Sequence, residues 1–173
     1  ENKLKDVFEC DLRAFPVATG TAANSLALAC MTPPWGAAYC HRYSHVAIDE
    51  CGAPEMFSGG AKLVILEGEQ GKIDPNSLKD GLAKSGQGDV HHVQPASLSI
   101  TQLTEMGTAY SVSEIENLTE IARGYGLKVH MDGARFANAL AGLDLNPADM
   151  TWRAGVDVLS FGASKNGAFA AES

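Results

Sequence analysis

The chain has 173 residues, with 13 Lys plus Arg against 21 Asp plus Glu, for a formal charge of −8. With 45% hydrophobic and only 20% charged residues it is one domain's worth of sequence, apolar enough to build a core, which excludes intrinsic disorder. No window nears the roughly 20 continuous apolar residues of a membrane-spanning helix, and an acidic chain with a pI near 5.0 lacks the clustered basic charge that general nucleic-acid binding needs.

Short β-rich runs alternate with Ala-rich stretches of helical period, the pattern of an α/β fold with a mostly parallel sheet flanked by helices. Gly20 and Thr21 precede an Ala/Leu run, residues 22–30, that predicts a helix with Thr21 near its N-cap and Pro33-Pro34 as its stop. Strands are expected at 38–41 and 62–66, followed by a polar turn at 68–71. Asp74-Pro75 opens a helix to about Lys84, which the segment 85–88 closes. A strand at 96–101 follows. Ser111-Val112-Ser113-Glu114 fits a capping box, with Ile115, Leu118, Ile121 and Ala122 at helical spacing and Gly126 as the stop. The last strands are 128–131, ending in Asp132, and 156–161, ending in a Gly/Ser/Lys loop. No internal repeat, linker or low-complexity tract interrupts the series.

Cys10, Cys30, Cys40 and Cys51 include no CxxC pair, so the sequence predicts small buried thiols rather than a zinc site or a disulfide framework. No metal is expected. Trp35 and Trp152 read as packing residues, His91 and His92 as exposed, His41 as structural or surface, and His130 as part of a strand-end polar network.

In open α/β sheets, ligands lie beyond the carboxyl ends of the strands. Three segments put chemistry there. Residues 129–135, Val-His-Met-Asp-Gly-Ala-Arg, deliver an acid and a base to the start of the next helix. Residues 159–167 deliver Lys165 amid small residues. Ala18-Thr19-Gly20-Thr21 offers backbone N–H groups and hydroxyls at a helix N-terminus, which suits a phosphate. Each is weak alone, since strand-end acids often cap helices and lone lysines are usually solvated. Together they are the parts of a pyridoxal 5'-phosphate site: a lysine amine to condense with the cofactor's aldehyde, and a carboxylate to keep the ring nitrogen protonated so that the ring can accept electrons.

The chain resembles the threonine aldolase family, in particular the low-specificity L-threonine aldolases among the fold-type-I pyridoxal-phosphate enzymes of the beta-eliminating lyase superfamily. The resemblance is carried by Gly20-Thr21-Ala22-Ala23-Asn24, by His45 with Glu50-Cys51-Gly52-Ala53-Pro54, by Gly59-Gly60-Ala61-Lys62-Leu63, by Ser99-Ile100-Thr101-Gln102 with Thr104-Glu105, by His130-Met131-Asp132-Gly133-Ala134-Arg135, and by Ser160-Phe161-Gly162 with Ser164-Lys165-Asn166-Gly167. It implies that Lys165 holds the cofactor aldehyde, Asp132 pairs with the ring nitrogen, Arg135 helps hold a substrate carboxylate, His45 stacks on the ring, and Gly20 and Thr21 take the phosphate. Asp49, a helical turn beyond His45, is expected to face the same pocket if that segment is helical. His45 is the first candidate for the catalytic base and Glu105 the second.

The implied reaction is retro-aldol cleavage of a β-hydroxy-α-amino acid, threonine or allo-threonine, to glycine and an aldehyde. The resemblance further implies residues 1–173 of a large cofactor-binding domain, truncated at both ends and without a small C-terminal domain that supplies a second arginine. It also implies a cytoplasmic homo-oligomer, a dimer or tetramer, and inactivity of the isolated chain. The alternatives are another fold-type-I enzyme (a β-eliminating lyase or aminotransferase), an inactive structural homologue, and a nucleotide-binding module, whose Gly-x-Gly-x-x-Gly turn is absent.

Overall fold

The computed structural model describes residues 1–169 and 171–173. In chain order its elements are α1 (Asn2–Phe8), α2 (Gly20–Met31), β1 (Gly36–His41), α3 (His45–Ile48), α4 (Ala53–Phe57), β2 (Lys62–Leu66), α5 (Pro75–Ala83), β3 (Gln94–Thr101), α6 (Val112–Gly124), β4 (Lys128–Gly133), α7 (Phe136–Leu143) and β5 (Val158–Phe161), with 3-10 turns at Glu69–Gly71 and Ser164–Asn166. The strands form one parallel sheet in the order β2-β1-β3-β4-β5. Helices cover it on both faces, as the alternation of the sequence predicts. No described helix is long and apolar enough to cross a membrane.

Strand periodicity decides which residue faces which layer. Ala37 and Tyr39 of β1 join the larger core with Leu78, Leu82, Ile115 and Leu118, from α5 and α6, whereas Ala38 and Cys40 join the smaller one with Leu28 of α2 and Val46 of α3. In β4, Val129 and Met131 belong to the larger core. His130 and Asp132 therefore lie on the other face, the one that α2 covers. A Cβ on Gly133 would sit 2.7 Å from Leu159 Cδ1 and from the Ser160 carbonyl oxygen, so glycine at this position lets β5 close on the end of β4.

The capping box of α6 forms as expected, with Ser111 and Glu114 each bonding the other's backbone N–H, and Asp74 caps α5. The cap of α2 is Thr19, not Thr21: Thr19 is extended and its Oγ1 accepts from Ala22 N at 3.1 Å, which puts Gly20 and Thr21 inside the first turn. α1 and α4 are additions to the predicted elements. α1 places Phe8 against Phe136 and Phe161, and α4 starts at a glycine of positive φ followed by Pro54. Two expectations are corrected. Trp35 is 67% exposed rather than packed, and Trp152 is partly exposed, with its indole N–H donating to the Phe8 carbonyl. Of the cysteines only Cys40 is buried; Cys30 and Cys51 are exposed, because they fall on the solvent side of α2 and of the turn before α4.

His130 is completely buried between Ser99 Oγ (2.9 Å from Nδ1) and Ser160 Oγ (2.8 Å from Nε2), and burial pushes its imidazole from the ordinary 6.5 down to about 4, against a smaller opposing pull from Asp132. Between those values the unfolded chain binds more protons than the fold, so stability rises with pH across the window and is lost on acidification, by on the order of 3 kcal/mol. Denaturant titrations at pH 6.5 and 4.5 are expected to show this loss in the wild type and a clearly smaller one in His130→Gln.

Candidate active site

Where β4 and β5 end and α2 begins, a cleft of about 320 Å³ opens. A larger groove of about 780 Å³ runs along α1, α2 and β5, but Phe8, Leu12, Phe15, Leu26 and Trp152 make it mainly apolar. The smaller cleft carries the polar groups. Gly20 and Thr21 lie on it in the first turn of α2, with Thr19 beside them. The N–H groups of a first turn have no intrahelical acceptor and carry the positive end of the helix dipole. Among the described residues a Cβ on Gly20 would meet only Glu172 Oε2, at 3.8 Å, which leaves backbone there open to a ligand.

One turn into the helix, Asn24 is buried and faces the sheet. Its Nδ2 donates to Glu50 Oε1 at 2.7 Å and to Asp132 Oδ2 at 3.0 Å. Asp132 also accepts from the Ala134 backbone N–H at 3.0 Å through Oδ1. A carboxylate has about four acceptor positions, so Asp132 retains capacity on the side that lines the cleft. Glu50 Oε1 lies 2.8 Å from His45 Nδ1, and the Glu50 side chain is wholly withdrawn from solvent. Its burial pushes the Glu50 carboxyl above its ordinary range and Asp132 adds to the push, while bonds from Asn24 and His45 oppose it. Glu50 Oε2 and Asn24 Oδ1 have no hydrogen-bond partner among the described residues. Lys165 sits on the turn Ser164–Asn166 directly after β5, exposed and lining the cleft, and the Asn166 amide donates to Asn138 of α7.

Five of the residues singled out from the sequence therefore share one cleft: Gly20, Thr21, His45, Asp132 and Lys165. The other three do not line it. Arg135 donates to both oxygens of Glu105 at 3.2 Å, so each is the other's partner at the start of α7. Asp49 is exposed: α3 ends at Ile48, and the chain leaves the helix so that Glu50, one residue on, turns inward instead. Asn24 and Glu50 stand within the quoted motifs but carried no assigned role; no local spacing signals their pairing. Ser160, Ser164 and Glu172 also line the cleft.

A family model described as "Beta-eliminating lyase" matches residues 1–173. The chain is 45% identical over 164 residues to a low specificity L-threonine aldolase of Pseudomonas aeruginosa, covering 95% of this chain and 47% of that protein. Its fold matches a threonine aldolase structure from Leishmania major with a TM-score of 0.89 and 29% identity, over 98% of this chain and 48% of that one. A serine palmitoyltransferase of Sphingomonas wittichii, 15% identical with a TM-score of 0.68 over 99% of this chain and 39% of that one, shares the fold, which is that of the fold-type-I enzymes. The chain spans about half the length of the curated relatives it matches.

The raised Glu50 carboxyl has a consequence for stability. A carboxyl that holds its proton more tightly in the fold than in the unfolded chain makes the fold bind more protons, so stability falls as pH rises from the ordinary glutamate value of 4.5 through the raised one. Unfolding titrations over pH 4 to 8 are expected to show a falling contribution in the wild type that Glu50→Gln removes.

Proposed function

The chain belongs to the beta-eliminating lyase family, and on that premise we propose that it forms the cofactor-binding part of an enzyme that cleaves a β-hydroxy-α-amino acid, threonine or allo-threonine, to glycine and an aldehyde. The single observation carrying this reading is the convergence of Lys165, Asp132 and the N-terminal turn of α2 on one cleft. Pyridoxal 5'-phosphate fits the donor set. A primary amine, an acid with spare acceptor capacity and a helix N-terminus with the open space beside Gly20 match its aldehyde, ring nitrogen and phosphate. When bound, this cofactor supplies an electron sink for the pair of electrons left at the amino acid's α-carbon.

The protein's own groups do the rest. Lys165 would hold the cofactor through its aldehyde, its amine lying on the cleft. Asp132 keeps a proton on the ring nitrogen, and its position is fixed by Asn24 and by the Ala134 N–H. The first-turn N–H groups of α2 and the Thr21 hydroxyl orient the phosphate. Binding an anion there requires the Glu172 carboxylate, which lines the same end, to rotate away. His45 takes the proton of the β-hydroxyl as the Cα–Cβ bond breaks, with Glu105 the second candidate. Arg135 meets the substrate carboxylate by exchanging its bond to Glu105. The same reading takes the enzyme to be a cytoplasmic homo-oligomer, a dimer or tetramer.

Borohydride treatment of the protein with pyridoxal 5'-phosphate, followed by peptide mass mapping, is expected to find the reduced adduct on Lys165 and none in Lys165→Ala. In the full-length enzyme, threonine is expected to yield equimolar glycine and acetaldehyde, with turnover lost in Lys165→Ala. An adduct elsewhere overturns the cofactor assignment. Formation of α-keto acid in place of glycine favours an aminotransferase.

A further inference from the structure

Glu50 presents a physical puzzle. A carboxylate whose side chain is wholly inside the protein costs several kcal/mol to bury unless its partners compensate, and one of its oxygens has no partner among the described residues. The partners of its other oxygen are therefore informative. Oε1 faces two nitrogens: Asn24 Nδ2 at 2.7 Å and His45 Nδ1 at 2.8 Å. The amide nitrogen is a donor only, so Oε1 is an acceptor there. An ionised carboxylate is likewise an acceptor only, so the contact with His45 requires the proton on Nδ1. His45 Nε2 has no protein partner among the described residues, and the ring lines the cleft. Which ring nitrogen of a histidine can react is set by the hydrogen bond made by the other.

We propose that Glu50 is the positioning residue of His45: it holds the imidazole as the Nδ1–H tautomer, so that Nε2 is the nitrogen presented to the cleft for proton transfer, and Asn24 locks Glu50 in that role by bonding Asp132 with the same amide group. The ionisable groups facing Glu50 are His45 from α3 and, across Asn24, Asp132 from β4. Burial raises the Glu50 carboxyl, and the bonds from Asn24 and His45 act against that rise, in favour of the ionised form. That Nε2 takes the β-hydroxyl proton rests on the aldolase reading; the tautomer does not.

Glu50→Gln and Glu50→Leu separate the possibilities. In Glu50→Gln the Asn24 donor keeps the amide oxygen toward both nitrogens, so the Nδ1–H tautomer persists; in Glu50→Leu the Glu50 acceptor is gone, and the ring reverts to the Nε2–H form preferred by a free histidine side chain. The readout is a long-range proton–nitrogen-15 correlation spectrum of the histidine rings, recorded on the protein without added cofactor at a pH where His45 is neutral. An Nε2–H ring in the wild type, which needs no variant, overturns the proposal, as does an Nδ1–H ring retained in folded Glu50→Leu. In the full-length enzyme Glu50→Leu is expected to lower kcat about a hundredfold with KM within about twofold, and Glu50→Gln to retain most of kcat. A parallel loss of kcat in Glu50→Gln at unchanged tautomer overturns it too. Absence of threonine cleavage by the wild type, with the Nδ1–H ring present, sinks the aldolase reading and leaves the tautomer assignment standing.

Discussion

The Asn24 side-chain amide ties three separate parts of the chain to one point. It belongs to the helix whose first turn lines the cleft, and its two N–H bonds go to an acid at the end of β4 and to an acid after α3. Two buried carboxylates so close together repel in a medium of low dielectric, and a donor with two protons between them is the simplest arrangement that keeps both satisfied. The N-terminus of α2 is thereby fixed over the carboxyl ends of β4 and β5, and the ligand-facing groups follow from that placement.

The sheet supplies the other half of the constraint. Period-two alternation puts His130 and Asp132 on the face that α2 covers, while Val129 and Met131 anchor the opposite face in the larger core. His130, clamped by Ser99 and Ser160, ties β3, β4 and β5 together two residues before Asp132, on the same face. Glycine at 133 lets β5 approach closely enough that Lys165 emerges beside the same opening. The buried Glu50 carboxyl beside the cleft carries a desolvation cost that its bonds from Asn24 and His45 oppose.

Much of this was legible in the sequence, and the remainder was not for identifiable reasons. The strand at 62–66, the capping box at Ser111, the Asp74 cap and the strand-end positions of Asp132 and Lys165 all rest on signals within a few residues. The Asn24 bridge links residues 26 and 108 positions apart, a relation that no local pattern encodes. Thr19 and Thr21 are equally good caps by residue type, and only the extended backbone at 19 separates them. Asp49 and Glu50 differ by one place in a helix of four residues, so the end of that helix decides which acid turns inward. Arg135 and Glu105 carry opposite charges that satisfy each other, which residue type alone does not reveal.

The shared amide is tested most directly by a double-mutant cycle at neutral pH, in which unfolding free energies are measured for Glu50→Gln, Asp132→Asn and the double variant. If both carboxylates press on Asn24, removing one charge relieves the other, and the double variant departs from the sum of the single effects by at least about 1 kcal/mol. Additivity to within about 0.5 kcal/mol would mean that the two acids are independent and that no common donor organises the cleft.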